Sequence, residues 1–86
     1  MNVLAYAETL AGTEADIRRQ LDLARSNRAD PRRHDAYVQA AKVTLINWLL
    51  NVETYASDEE RLWRLVSDEA TAAHLPVTIL GKAQTR

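Results

Sequence analysis

Residues 30–55 read DPRRHDAYVQAAKVTLINWLLNVETY, and this stretch decides the fold. After Pro31 it runs without glycine or proline. Asp30 is a good helix N-cap. Pro31 suits the first helical position, where its missing N–H would have no partner anyway. Val38, Ala41, Leu45, Trp48, Val52 and Tyr55 recur three and four apart, a seam down one face of a helix. Val43, Ile46 and Leu50 add a second apolar stripe on the opposite face. A helix that is apolar on two faces has to be covered on both. The stretch therefore predicts a central helix over about 31–55, with Trp48 and Tyr55 in the core.

The segments on either side supply the covers. Upstream, Val3, Tyr6, Leu10, Ile17, Leu21 and Ala24 form one narrow stripe and predict a helix over about 3–27. Gly12 interrupts it, at roughly 1 kcal/mol against alanine, so a kink there or two shorter helices is the alternative. Downstream, Ser57 followed three residues later by Glu60 reads as a capping box opening a helix over about 58–74. Its apolar face holds Leu62, Trp63, Leu65, Val66, Ala70 and Ala73, and Pro76 ends it. Trp63 stands at the border of that face, where a tryptophan serves as a contact residue. Beyond it, Val77 to Leu80 lie between Pro76 and Gly81 and read as an extended apolar tail over 76–86. No second strand is available, so the tail is expected in a groove between helices. Its alternative is addition to a partner's sheet edge.

The connections are short, so neighbouring helices run antiparallel. The expected fold is all-α: one domain, 1–86, forming a three-helix antiparallel bundle with an extended apolar C-terminal tail. The third helix is shorter than the second and cannot cover all of it. The tail or a second copy of the chain has to complete the burial.

Composition excludes several classes. The chain has 86 residues and no cysteine, so no disulfide or thiolate metal site supports it. Eleven basic and twelve acidic side chains nearly cancel, which gives no general attraction to nucleic acid or membrane. No apolar run reaches the roughly 20 residues that span a bilayer. The first ten residues, MNVLAYAETL, lack a basic n-region and include Glu8, unlike a secretory signal. The expectation is a cytoplasmic protein without a membrane partner.

The charges are nevertheless organised. Arg25, Arg28, Arg32, Arg33 and His34 gather at the turn between the first two helices, and Glu53, Asp58, Glu59 and Glu60, with Glu8, gather at the other end. Arg25 and Arg28 suit a helix C-terminus. Arg32 and Arg33 fall in a first turn, where the macrodipole disfavours cations. A local rule broken without evident gain marks a place to look for function.

No motif fixes a reaction. His34 and His74 are the only histidines, and neither has the further ligands a zinc site needs. There is no Gly-rich phosphate loop and no nucleophile elbow. Arg28 and His34 fit the loose Arg-x(4–6)-His spacing of HEPN-type ribonucleases, which are helical and dimeric. Ala29 after the arginine, Pro31 inside the motif and the short chain all depart from that pattern. No catalytic residue, metal or cofactor is therefore expected.

The leading expectation is a non-catalytic protein–protein interaction module. Small helical proteins of this kind include phage- or plasmid-type accessory proteins and inhibitors, such as anti-CRISPR-like blockers of a nucleic-acid-handling complex. The expected apolar interface is Val43, Ile46, Leu50, Trp63, Val77, Ile79 and Leu80, with a homodimer through the first three as its simplest form. The expected partner-binding basic tip is Arg25, Arg28, Arg32, Arg33 and His34. A small nucleic-acid-binding regulator using the turn 25–34 is the runner-up, and a HEPN-like ribonuclease comes third.

Overall fold

The computed structural model describes residues 3–73. They form three helices, α1 (Val3–Ser26), α2 (Pro31–Asn51) and α3 (Ala56–Ala72), packed as an antiparallel bundle. His74 and the tail 76–86, with Val77, Ile79 and Leu80, lie outside the described residues.

Helix α1 passes through Gly12 without a break. A Cβ built at Gly12 would meet nothing within 4 Å, so no packing demand explains the glycine. The propensity penalty is offset by burial on both sides, at Tyr6 and at Ile17, Leu21 and Ala24.

Helix α2 starts as its sequence demands. Asp30 accepts a hydrogen bond from the Arg33 backbone N–H at 3.3 Å, and Pro31 opens the first turn. It ends four residues before the expected 55. Val52 is extended, with φ −135° and ψ 137°, and its N–H still reaches the Trp48 carbonyl at 3.0 Å. Val52 and Thr54 are β-branched and stiff at χ1, which weakens the helix here, and the chain must turn to begin α3. Tyr55 therefore leaves the seam: it is 64% exposed and is not a core residue.

Helix α3 begins at Ala56, so Ser57 lies inside the helix and forms no capping box. The N-cap is Tyr55, which gives no side-chain cap bond. Nearby, the Thr54 hydroxyl donates to Glu59 Oε2 at 2.9 Å. Asp58 and Glu59 in the first turn suit the positive end of the helix dipole.

The core is a single cluster. Tyr6, Ile17, Leu21 and Ala24 come from α1, Val38, Ala41, Leu45 and Trp48 from α2, and Leu62 and Val66 from α3. Trp63, Leu65, Ala70 and Val52 are half-buried against it. Tyr6 ties the far end together. Its ring meets Trp48 (6.0 Å between centroids) and, edge-on, Tyr55 (5.1 Å). Its hydroxyl donates to Asp58 at 2.7 Å and accepts the Tyr55 N–H at 3.2 Å. Burial and the Asp58 carboxylate raise the Tyr6 pKa.

Candidate functional site

The two ends of the bundle differ in how their charges are used. At the α1–α2 turn, the carboxylate of Glu69 is buried, with 3% of its side chain exposed. Glu69 sits on α3 in line with Leu62 and Val66, so the fold of that helix carries it into the core. Arg28 grips it with two parallel bonds, Nε–H to Oε2 and Nη2–H to Oε1, both 2.8 Å. His34 Nε2 lies 3.0 Å from Oε2, and Arg25 Nε lies 3.5 Å from Oε1. An ionised carboxylate only accepts, so His34 Nε2 carries the proton and donates. The Arg28 guanidinium holds the Glu69 carboxyl below its usual pKa range, and the His34 bond pushes the same way against burial. One acid thus joins the end of α1, the following turn, the start of α2 and the end of α3.

This cluster redistributes the expected basic tip. His34 is buried, and Arg25 and Arg28 turn toward Glu69. Arg28 and His34 do converge, but on a carboxylate within the bundle. Arg32 and Arg33 remain exposed. Arg33 stands 3.7 Å from Asp30, and Arg32 meets no side-chain partner among the described residues. Glu69 was missed in the sequence because it is charged. Its spacing, 62-66-69, was the signal: it continues an apolar stripe, as His34 does in 34-38-41-45-48.

Beside the cluster is a cavity of about 350 Å³ lined by Arg18, Leu21, Asp22, Arg25, Arg28, Leu65, Asp68, Glu69 and Ala72. Its three arginines are matched by three acids. Arg18 also pairs with Glu14 at 2.9 Å, and Arg25 with Asp22 at 2.8 Å. The cavity therefore offers no uncompensated charge to a ligand.

At the other end, Asp58 takes the Tyr6 hydroxyl, Glu59 takes Thr54, and Glu60 pairs with Arg64 at 2.8 Å. Glu8 and Glu53 are exposed and have no ion-pair partner among the described residues. Between the ends, Glu14 bridges Arg61 at 2.6 Å, which lowers the Glu14 pKa.

The third feature is the outer face of α2. Val43 is 54% exposed, Ile46 42% and Leu50 78%. Arg32 and Gln39 share that face, by the spacing 32-39-43-46-50. Both are exposed.

Among the described residues, no group of three or more His, Asp or Glu side chains is placed to hold a metal ion. No described helix is long and apolar enough to cross a membrane. Comparison with known proteins gives no significant match, whether to a family model, a curated protein or a solved structure.

Proposed function

We propose that this chain is a non-catalytic protein–protein interaction module that docks through the outer face of α2. The observation that carries the reading is the exposure of Val43, Ile46 and Leu50 in one row, opposite the buried seam of the same helix. Apolar side chains scattered singly on a surface need no explanation. An ordered apolar row flanked by polar groups marks a contact site. The proposed apolar interface also includes the half-buried Trp63; its remaining members, Val77, Ile79 and Leu80, lie outside the described residues. A compact charged-ended bundle of this size suits an accessory or inhibitor protein of phage or plasmid type, acting by occupying a surface of a larger complex.

The test compares capture from the native host by the immobilised chain, its Ile46→Glu variant and an Arg64→Glu control. Ile46 is exposed, so the variant should keep its helical circular dichroism. The reading predicts a partner retained by the wild type and the control and lost by Ile46→Glu. Identical capture by all three would refute it.

The outward Arg32 and Arg33 favour a second reading, a nucleic-acid-binding regulator. The inward turn of Arg25, Arg28 and His34 leaves fewer cations for phosphate contact than the basic tip first suggests. Under this reading, nucleic acid co-purifies with the chain and its affinity falls steeply with salt. Arg32→Glu combined with Arg33→Glu would abolish that binding.

A further inference from the structure

We propose that the cavity between α1 and α3 is the seat of the chain's own C-terminal tail, with Val77 and Ile79 turned onto its floor. The inference is independent of what docks on α2. The cavity, about 350 Å³, has three apolar lining residues, Leu21 from α1 and Leu65 and Ala72 from α3. The rest of its lining is three arginines and three acids. Matched charges give no net attraction to an ion. An apolar strip alone gives no place for a backbone, whose N–H and C=O groups need partners when buried. The mixture suits a neutral extended peptide. Its apolar side chains go to the strip, and its peptide groups find donors on the arginines and acceptors on the acids. Asp68, exposed and without an ion pair among the described residues, is one such acceptor.

Position and length select the tail. Ala72 lines the cavity and closes α3, and residues 74–86 follow directly. The α3 wall from Ala72 back to Leu65 is about 10 Å long, at 1.5 Å per residue. Residues 77–80, Val-Thr-Ile-Leu, span about 13 Å when extended at 3.3 Å per residue. Residues 74–76 are left for the reversal, and Pro76 brings no N–H that would need a partner. Side chains alternate along an extended segment, so Val77 and Ile79 share one side and Thr78 and Leu80 the other. The first pair is wholly apolar and faces the strip. Residues 77–80 carry no charge, as a charge-balanced site requires. A tail seated here takes Val77 and Ile79 out of the interface proposed above and leaves the exposed row on α2 as it is.

Disulfide trapping in the full chain tests this, since the chain has no cysteine of its own. Asp68 lines the cavity, and its exposed neighbour Ser67 does not. The two lie about equally near the tail along the chain but about 100° apart around α3. Ile79→Cys keeps a small apolar side chain. Combined with Asp68→Cys, it should close an intramolecular disulfide at least about tenfold faster than with Ser67→Cys, because docking raises the effective concentration at one position only. A second readout needs no thiol. Ile79→Glu should shift the backbone amide resonances of Leu21, Leu65 and Ala72 with helical circular dichroism unchanged, and a Thr85→Glu control should not. Equal closure rates at 67 and 68 would mean that the tail does not choose the cavity, and overturn the proposal. Faster closure with Ser67→Cys would set the tail on the other side of α3 and overturn it as well. A disulfide found only between chains would give the cavity to a second copy's tail, against the intramolecular seat. Unmoved resonances at all three residues in Ile79→Glu would leave the cavity to solvent or another ligand, and the proposal would fall.

Discussion

The two faces of α2 share one backbone and similar apolar residues, yet they meet different surroundings. The inner face, His34, Val38, Ala41, Leu45 and Trp48, is buried along its length. The outer face, Arg32, Gln39, Val43, Ile46 and Leu50, is exposed along its length. Each face ends in a basic residue type near the α1–α2 turn. On the inner face His34 finds Glu69 within the same bundle. On the outer face Arg32 finds no side-chain partner among the described residues. The difference teaches that apolar periodicity reports a face able to pack, while the geometry of neighbouring helices decides whether the same molecule supplies the cover. Two helices, one of them short, can cover only one side of α2.

The largest effect expected from this contrast is Leu45→Ala. Leu45 is fully buried, and truncation there removes a transfer contribution and leaves a cavity. The expected loss is about 2–5 kcal/mol. Small domains have only about 5–15 kcal/mol in total, so the variant should unfold at a much lower urea concentration. A loss below about 0.5 kcal/mol, the scale of surface substitutions, would mean that the inner face is not the core.

Next comes the polar end of the inner face. Glu69→Gln keeps the shape but turns an acceptor into an NH₂ donor facing Arg28 or His34. Leaving buried donors unmatched costs about 1–3 kcal/mol. The pH dependence has a definite sign. The Glu69 pKa is lower in the folded chain than in the unfolded one, so its contribution is complete above the usual carboxylate range. It is lost as pH falls through the folded value. The stability gap between wild type and Glu69→Gln should therefore narrow as pH is lowered from neutrality to about pH 3, below the ordinary glutamate pKa. Glu14, also lowered by Arg61 and Arg18, remains in both proteins and cancels from that difference. A gap that stays constant or widens on acidification would show that the Glu69 charge is not what joins this end of the bundle.

The three helices were legible in the sequence because apolar periodicity marked each of them, and for α2 the cap agreed with it. Asp30 and Pro31 mark the start of α2 unambiguously, and the 38-41-45-48 spacing marks its buried face. The end of α2 was not legible. Val52 and Tyr55 continue the heptad-like spacing, but the helix stops at Asn51, where β-branched Val52 and Thr54 weaken it and the chain has to reverse toward α3. Ser57 and Glu60 matched a capping box by type and spacing, but α3 starts before Ser57, so the motif had no helix end to cap. The charged cluster was half legible. Arg25, Arg28 and His34 were visible as a group, while their common acceptor was hidden 35 residues beyond His34. Charge pairing across such a distance depends on which helix faces meet, which a single sequence does not print. His34 and Glu69 were recognisable only as polar residues standing at positions where an apolar one was due.

The smallest expected effect lies on the outer face and is the sharpest use of the contrast. Leu50 is 78% exposed, so in the isolated chain Leu50→Gln removes little buried area. Stability measured at low protein concentration should change by no more than about 0.5 kcal/mol, as at other surface positions. The same chemical change in the same residue type at Leu45 would be severe, five positions earlier on one helix. Concentration then separates folding from association. If the outer face is covered by a second copy, apparent stability of the wild type rises with protein concentration by mass action, and Leu50→Gln blunts that rise. If dilute wild type already loses well over 1 kcal/mol on Leu50→Gln, Leu50 is buried within the single chain. The two faces of α2 would then both belong to one core.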